Sequence, residues 1–397
     1  MIPPLTPFPT AAPFRIDQVT AAPVLMLALF CAQLLVAALM SWAARRERPR
    51  LWNGLGLLLL VLVALFFTLG SWGNSDTTKL SHYLTFDLSR LRGEPFWAVM
   101  APLIVRLPYR MSMVQGLVVA GYAAAPLLLA RLWQARAWGG WWSLLIVCSP
   151  LLRNFLQNGV SRQALMTLLL LPLLLWAARL ARIRRWPLAL ATGLAATVHT
   201  SFPLTLVLAL VPRLLAVRSV LRLHWRVLLP AVAALGLLVL LAAPQALEKL
   251  RVYSTQESYF PTYALRPEVI RLQLAMALGV VLACWRRRLG WRQLLACDRS
   301  RCLAVFALFF CLLQLSLHWN LLAPITSRLV DPVGLYLLIL WLGWLQRQRC
   351  FWAAAPALVV TVHYWLVLRL LGSFTLDCGS NDEFLCIPDR WPWQVRY

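Results

Sequence analysis

Long apolar runs alternate with short polar segments along the whole chain. They fall at roughly 22–42, 51–69, 113–133, 139–156, 162–180, 186–200, 202–217, 227–243, 268–284, 302–318, 329–346 and 351–370. Each is near the length of about 20 residues that an α-helix needs to cross the hydrocarbon core of a bilayer. The pattern predicts an all-α integral membrane protein with about twelve transmembrane helices, folded as one polytopic domain over residues 1–397. No repeat divides it, and no loop is long enough to hold a separate domain.

Two loops are long, 70–112 and 244–267, and loops beyond about 15 residues are usually functional or disordered. In the first, Leu80, Tyr83, Leu84, Leu88 and Leu91 recur at helical spacing with Lys79, Ser81, Asp87 and Arg90 between them. That spacing predicts an amphipathic helix lying in the membrane interface. Residues 96–107 are apolar but too short to span, which predicts a second interfacial or re-entrant helix entered at Glu94-Pro95, proline being suited to the first turn.

The basic residues orient the runs, because short cytoplasmic loops retain Arg and Lys. Alternate loops collect Arg45, Arg46, Arg48 and Arg50; Arg131 and Arg136; Arg179, Arg182, Arg184 and Arg185; Arg213, Arg218, Arg222 and Arg226; a cluster from Arg286 to Arg301; and Arg347 with Arg349. Of the 14 acidic residues only Glu47 and Asp298 share that side. Both termini are then expected outside, and the acid-bearing outer side is where chemistry is expected.

A hydrophobic content of 61% with 13% charged residues excludes an ordinary soluble domain. The net charge of +24 is therefore topological, not the footprint of a nucleic-acid partner, which would need a basic face on a soluble domain. Trp42, Trp52, Trp138, Trp186, Trp225 and Trp285 lie beside basic clusters and read as interfacial anchors. The first run lacks a positively charged leader and reads as a retained span, not a cleaved signal. Seven of the 9 cysteines sit in helices or inner loops; Cys378 and Cys386 share the outer tail 371–397, where a disulfide would pin it.

Four local patterns, all outward in this topology, carry a family resemblance. They are Gly73-Asn74-Ser75-Asp76-Thr77 with Glu94-Pro95-Phe96, Asn158-Gly159-Val160-Ser161-Arg162-Gln163, Val198-His199-Thr200-Ser201, and Arg328-Leu329. In these, over roughly residues 65–345, the chain resembles the EpsG family of bacterial exopolysaccharide polymerases, related to Wzy-type polymerases and more loosely to GT-C glycosyltransferases. The resemblance implies a GT-C-like fold. It also implies an enzyme that joins glycan repeat units carried on undecaprenyl pyrophosphate at the outer face of the cytoplasmic membrane. An acceptor hydroxyl attacks the donor anomeric carbon and the lipid pyrophosphate leaves. The implied partners are the lipid-linked oligosaccharide, the bilayer and other polysaccharide-assembly proteins, with no nucleic acid.

Such a site needs a cationic clamp for pyrophosphate, a base, and groups that hold sugars. Arg162 opens a helix, whose N–H groups already favour an anion, and its guanidinium adds a bidentate contact; Arg328 and Arg153 follow as clamp residues. The alternative for all three is contact with lipid headgroups. Asp76, Glu94, Asp331 and His199 are the acids and histidine near the outer surface. Asp76, Glu94 and His199 are the catalytic candidates, set against an N-cap for Asp76, an ion pair with Arg90 or Arg92 for Glu94, and a hydrogen-bonded helix end for His199. Asn158, Gln163, Tyr253, Tyr259 and Tyr263 are the glycan candidates, the tyrosines alternatively forming an aromatic belt.

No cofactor is expected, since no glycine-rich phosphate loop follows a strand. Asp76 and Asp87 are about three helical turns apart, too far to share one ion, so no metal is expected. Competing readings are a lipid-linked single-sugar transferase or O-antigen ligase of GT-C type, an oligosaccharide flippase, and a non-catalytic assembly subunit. A flippase would place polar groups near the bilayer midplane.

Overall fold

The computed structural model describes residues 22–69, 95–105, 110–152, 161–199, 201–216, 267–290, 298–316, 323–364 and 366. In chain order its helices are α1 Ala22–Arg45, α2 Pro49–Leu69, α3 Pro95–Val105, α4 Arg110–Leu132, α5 Arg136–Val147, α6 Ser161–Ala177, α7 Arg185–Val198, α8 Phe202–Ala216, α9 Pro267–Arg287, α10 Asp298–Ser316 and α11 Ala323–Arg347. A 3₁₀ turn, Phe351–Ala354, then leads into α12, Ala355–His363. The protein is an all-α membrane protein. Six of the described helices are long and apolar enough to cross a bilayer, and those within α6, α8 and α12 are shorter apolar segments. The expected short helix after Glu94 is α3, which starts at Pro95. The expected interfacial helix over 80–91, the run 227–243, the loop 244–267 up to Arg266 and the tail 371–397 lie outside the described residues.

Five helix ends share one closure. After α1, the Arg48 N–H bonds the Ala43 carbonyl at 2.9 Å and the Glu47 N–H bonds Ala44 at 3.2 Å, the paired bonds of a Schellman motif. The same pair recurs after α4, α6, α9 and α11, ending at Ala135, Leu180, Leu289 and Cys350. The left-handed residue is Glu47, Gln134, Arg179, Arg288 or Arg349, with φ of 50 to 55°. All five closures occupy the arginine-rich loops.

Hydrogen bonds tie these turns together. Trp52 Nε1 donates to the Arg136 carbonyl at 3.0 Å and Trp133 Nε1 to Leu180 at 2.9 Å. Arg299 donates to Arg179 O at 2.9 Å, Trp344 Nε1 to Ser300 Oγ at 2.8 Å, and Arg287 Nε to Gln348 O at 2.6 Å. The basic turns therefore lie at one end of the bundle, as the charge pattern predicts. Trp52 does more than anchor in the interface, because its indole is buried and bridges two turns. Trp186 and Trp285 are exposed at that end, as expected of anchors.

α11 is the central helix: 94% of its Leu329–Arg347 segment is buried, against 33% for α1 and α9. Lipid is as apolar as leucine, so contact between such helices depends on close backbone approach and polar bridges. Gly116 brings α4 onto α2 at Ala64 and Thr68, and Gly140 brings α5 onto α1 at Ala37. Gln273 Nε2 donates to Gln314 Oε1 at 2.8 Å between α9 and α10. α6 packs against α7, α8, α4 and α11, and α3 packs on α7 and α4.

Candidate functional site

The end opposite the basic turns follows from helix direction. α6 enters its basic turn at its C-terminus, so Ser161 and Arg162 stand at the other end; α7 returns, and its C-terminal His199 stands there too, with Ser201 opening α8. The first turns of α4 and α11 arrive at the same end by the same reasoning. Among the polar side chains buried towards it are Gln163 (0% exposed), Gln115 (1%), His199 (3%) and Asp331 (6%). Arg162 beside Gln163 is partly buried.

His199 is held tightly. Its backbone is extended (φ −153°, ψ 141°) where α7 stops, and its carbonyl accepts the Phe202 N–H at 3.0 Å. The Ser201 N–H donates to His199 Nδ1 at 3.1 Å, and Ser201 Oγ lies 2.8 Å from the same nitrogen. From the other side, α3 inserts Trp97, fully buried, whose Nε1 donates to the Val198 carbonyl at 2.9 Å. A carbonyl at a helix C-terminus has no partner within the helix, so the indole satisfies it and fixes α3 against the residue that precedes His199.

Below this end lies a layer of hydroxyls. Tyr122 donates to the Ala164 carbonyl at 2.9 Å and Tyr336 to the Thr167 carbonyl at 3.3 Å, both rings being buried. The Thr167 hydroxyl is buried in the same layer. At a rise of about 1.5 Å per residue, Tyr122, Thr167 and Tyr336 stand about 15–17 Å above the basic ends of their helices, and Asp331 about 24 Å. Against a core about 30 Å thick, the hydroxyl layer is near half depth and Asp331 near the surface away from the basic turns. Pro332 follows Asp331 inside α11 and offers no N–H to the carbonyl four residues earlier, at Arg328.

Of the residues expected from sequence, Arg162, Gln163 and His199 stand at this end. Arg328 lies in α11 one turn before Asp331. Asp76, Glu94, Arg153, Asn158, Tyr253, Tyr259, Tyr263, Cys378 and Cys386 lie outside the described residues. Sequence reasoning passed over Trp97, Tyr122, Thr167 and Tyr336, and gave Asp331 no role. Asp331 carried a signal, as an acid within a predicted span; the aromatics and Thr167 carried none that separates interior from lipid face. Compared with protein-family models, with curated proteins and with solved structures, the chain has no match.

Proposed function

We propose that this protein is a polysaccharide polymerase of the EpsG and Wzy type. About twelve spans in a GT-C-like arrangement would hold a site facing the exterior of the bacterial cytoplasmic membrane. The substrate is a glycan repeat unit on undecaprenyl pyrophosphate. The acceptor hydroxyl forms a bond to the donor anomeric carbon, the carbon–oxygen bond to pyrophosphate breaks, the hydroxyl proton passes to a base, and the lipid pyrophosphate leaves as an anion. Asp76 and Glu94 are the carboxylates proposed for the base. Arg162 is the first clamp residue, with Arg328 and Arg153 behind it. Asn158, Gln163 and the tyrosines of the second outer loop hold sugars.

One observation carries this reading best. The opening turn of α6, with Arg162 and the buried Gln163, shares the end away from the basic turns with the buried His199 and Asp331. Buried polar groups in a membrane protein are costly and mark functional sites, and here they gather where a lipid-borne pyrophosphate on the outer leaflet would lie. A second reading, a flippase for the same lipid-linked oligosaccharide, draws on the hydroxyl layer near half depth. Both are tested by supplying purified protein in nanodiscs with lipid-linked repeat units and reading the products. A glycan ladder that disappears in Arg162→Ala, with insertion intact, fits the polymerase. A single added sugar or transfer to a different acceptor would point to the transferase or ligase class, and movement across liposomes without a ladder to the flippase. Wild-type activity in Arg162→Ala would remove Arg162 from the site.

A further inference from the structure

We propose that the paired turns closing α9 and α11 form a binding site for an anionic phospholipid of the leaflet at the basic end. The juxtaposition that carries it is one hydrogen bond, from Arg287 Nε to the Gln348 carbonyl at 2.6 Å. The site is independent of the polymerase reading and rests only on the membrane-spanning fold.

That bond joins two arginine clusters. Arg287 lies between Arg286 and Arg288, and Gln348 between Arg347 and Arg349, with all five arginines exposed. Each of the other four therefore leaves the backbone one residue from the bond, and adjacent Cα atoms are about 3.8 Å apart. The bond uses the Nε proton of Arg287, while the terminal nitrogens of its planar fork keep theirs. A second contact holds the same turns together. Gly279 of α9 lies directly against the 3₁₀ turn that follows Cys350, where an added Cβ would meet the Ala353 carbonyl oxygen.

Two ordinary uses of a basic turn do not account for this arrangement. Arginines near a helix C-terminus often serve its open carbonyls. Here backbone N–H groups already take the Cys284 and Trp285 carbonyls on α9, at 3.0 and 3.2 Å, and those of Leu345 and Gln346 on α11, at 3.0 and 2.9 Å. Orientation in the membrane needs positive charge in a loop, but it does not need two loops tied to each other. Among the described residues the acids at this end are Glu47, after α1, and Asp298, opening α10, and neither belongs to these turns. The clustered charge calls for an anion from outside the chain.

The surface of α9 selects the class of anion. Ile270, Leu274, Leu278, Val281 and Trp285 are exposed on it, and at about 100° per residue they fall within about 80° of the helix circumference. The stripe ends at Trp285, 75% exposed and directly before Arg286. An exposed indole suits the boundary between acyl chains and headgroups. Apolar stripe, indole and guanidinium thus follow one another along α9 in the order of acyl chain, glycerol and phosphate in a phospholipid. Guanidinium binds phosphate in a bidentate, charge-assisted manner. A zwitterionic lipid would bring its own cation into the cluster, and a free phosphate would leave the stripe unused.

The test is native mass spectrometry of full-length protein released from nanodiscs that mix phosphatidylglycerol with phosphatidylcholine. Wild type should retain phosphatidylglycerol in excess of its share of the disc, and retention in proportion to that share overturns the site. The fourfold variant Arg286→Gln, Arg288→Gln, Arg347→Gln and Arg349→Gln spares the bond from Arg287 and should retain at least about tenfold less. Unchanged retention would refute the assignment. The same charge removed elsewhere on this end, by Arg46→Gln, Arg50→Gln, Arg182→Gln and Arg184→Gln, should change retention by less than about twofold. Equal loss in the two variants would make the whole end a diffuse positive surface and overturn a site at these turns. Inorganic phosphate in excess should displace nothing, and displacement would assign the arginines to a soluble anion instead. Trp285 gives a reading that requires no arginine to be replaced. The fluorescence that Trp285→Phe removes should be quenched more by phosphatidylglycerol with brominated chains than by brominated phosphatidylcholine, and equal quenching would exclude the preference.

Discussion

Gly116 offers a direct test of the packing between α2 and α4. A methyl group added there would meet the Ala64 carbonyl oxygen at 2.5 Å and the Thr68 hydroxyl closer still. The hydroxyl can rotate away but the carbonyl belongs to the helix backbone. Because Cβ atoms essentially never approach within 3.0 Å of another heavy atom, α2 and α4 must part by about 0.5 Å, a gap that forfeits about a quarter of the dispersion energy of each contact across the seam. Forced overpacking of this kind costs about 1–3 kcal/mol. Replacing glycine by alanine in a helix returns about 0.8–1.0 kcal/mol through propensity, so Gly116→Ala should lose up to about 2 kcal/mol net. Gly54 supplies the control on α2 itself, because nothing lies within 4 Å of its Cβ position. Gly54→Ala should gain up to about 1 kcal/mol. Equilibrium unfolding in mixed micelles, followed by tryptophan fluorescence, would read both. The opposite signs are the point: if Gly116→Ala stabilises as much as Gly54→Ala, α2 and α4 do not meet at this residue.

Three further outcomes are expected. Gln134→Gly should raise stability by about 1 kcal/mol, since glycine occupies the left-handed conformation without the penalty a side chain incurs; the same unfolding experiment checks it, and a loss would mean that the turn does not close as described. Single cysteines at Glu47, Gln134 and Arg349 should react with an impermeant maleimide only from the cytoplasmic side, and one at Ser201 only from the other; labelling of Glu47→Cys and Arg349→Cys from opposite sides would break the orientation. If the tail holds a disulfide, Cys378 should label only after reduction, and labelling without reductant would exclude the bridge.

Much of the helix layout could be read from the sequence, because a bilayer demands continuous apolar length and leaves that demand written in the chain. α9 was expected over 268–284 and runs Pro267–Arg287. What could not be read was which of these helices lies inside. α1 and α11 are both long apolar runs, yet one is 33% and the other 94% buried in its spanning segment. Lipid and protein interior are equally apolar, so hydropathy cannot separate them. The hydroxyls of Tyr122, Thr167 and Tyr336 stayed hidden for the same reason. The five closures were hidden differently: their left-handed positions hold Glu, Gln and Arg where the recognisable signal would be Gly or Asn. His199 was legible as a residue at an outer helix end, but the bond its ring accepts from a backbone N–H two residues on is one that no side-chain pattern records.

The two ends of the bundle therefore differ in more than charge. At the basic end, indole and guanidinium donors are spent on neighbouring turns: Trp52 on Arg136, Trp133 on Leu180, Arg299 on Arg179, Arg287 on Gln348. Such bonds lock helices in register and commit those donors within the protein. At the other end, buried polar groups from three helices and the α7–α8 link include Gln115, Gln163, Asp331 and His199. Burial of polar groups near a membrane surface costs free energy that packing alone would not require. That cost, borne at the end away from the arginine-rich turns, supports the proposed placement of the chemistry there and leaves the arginine-rich end to hold the bundle together.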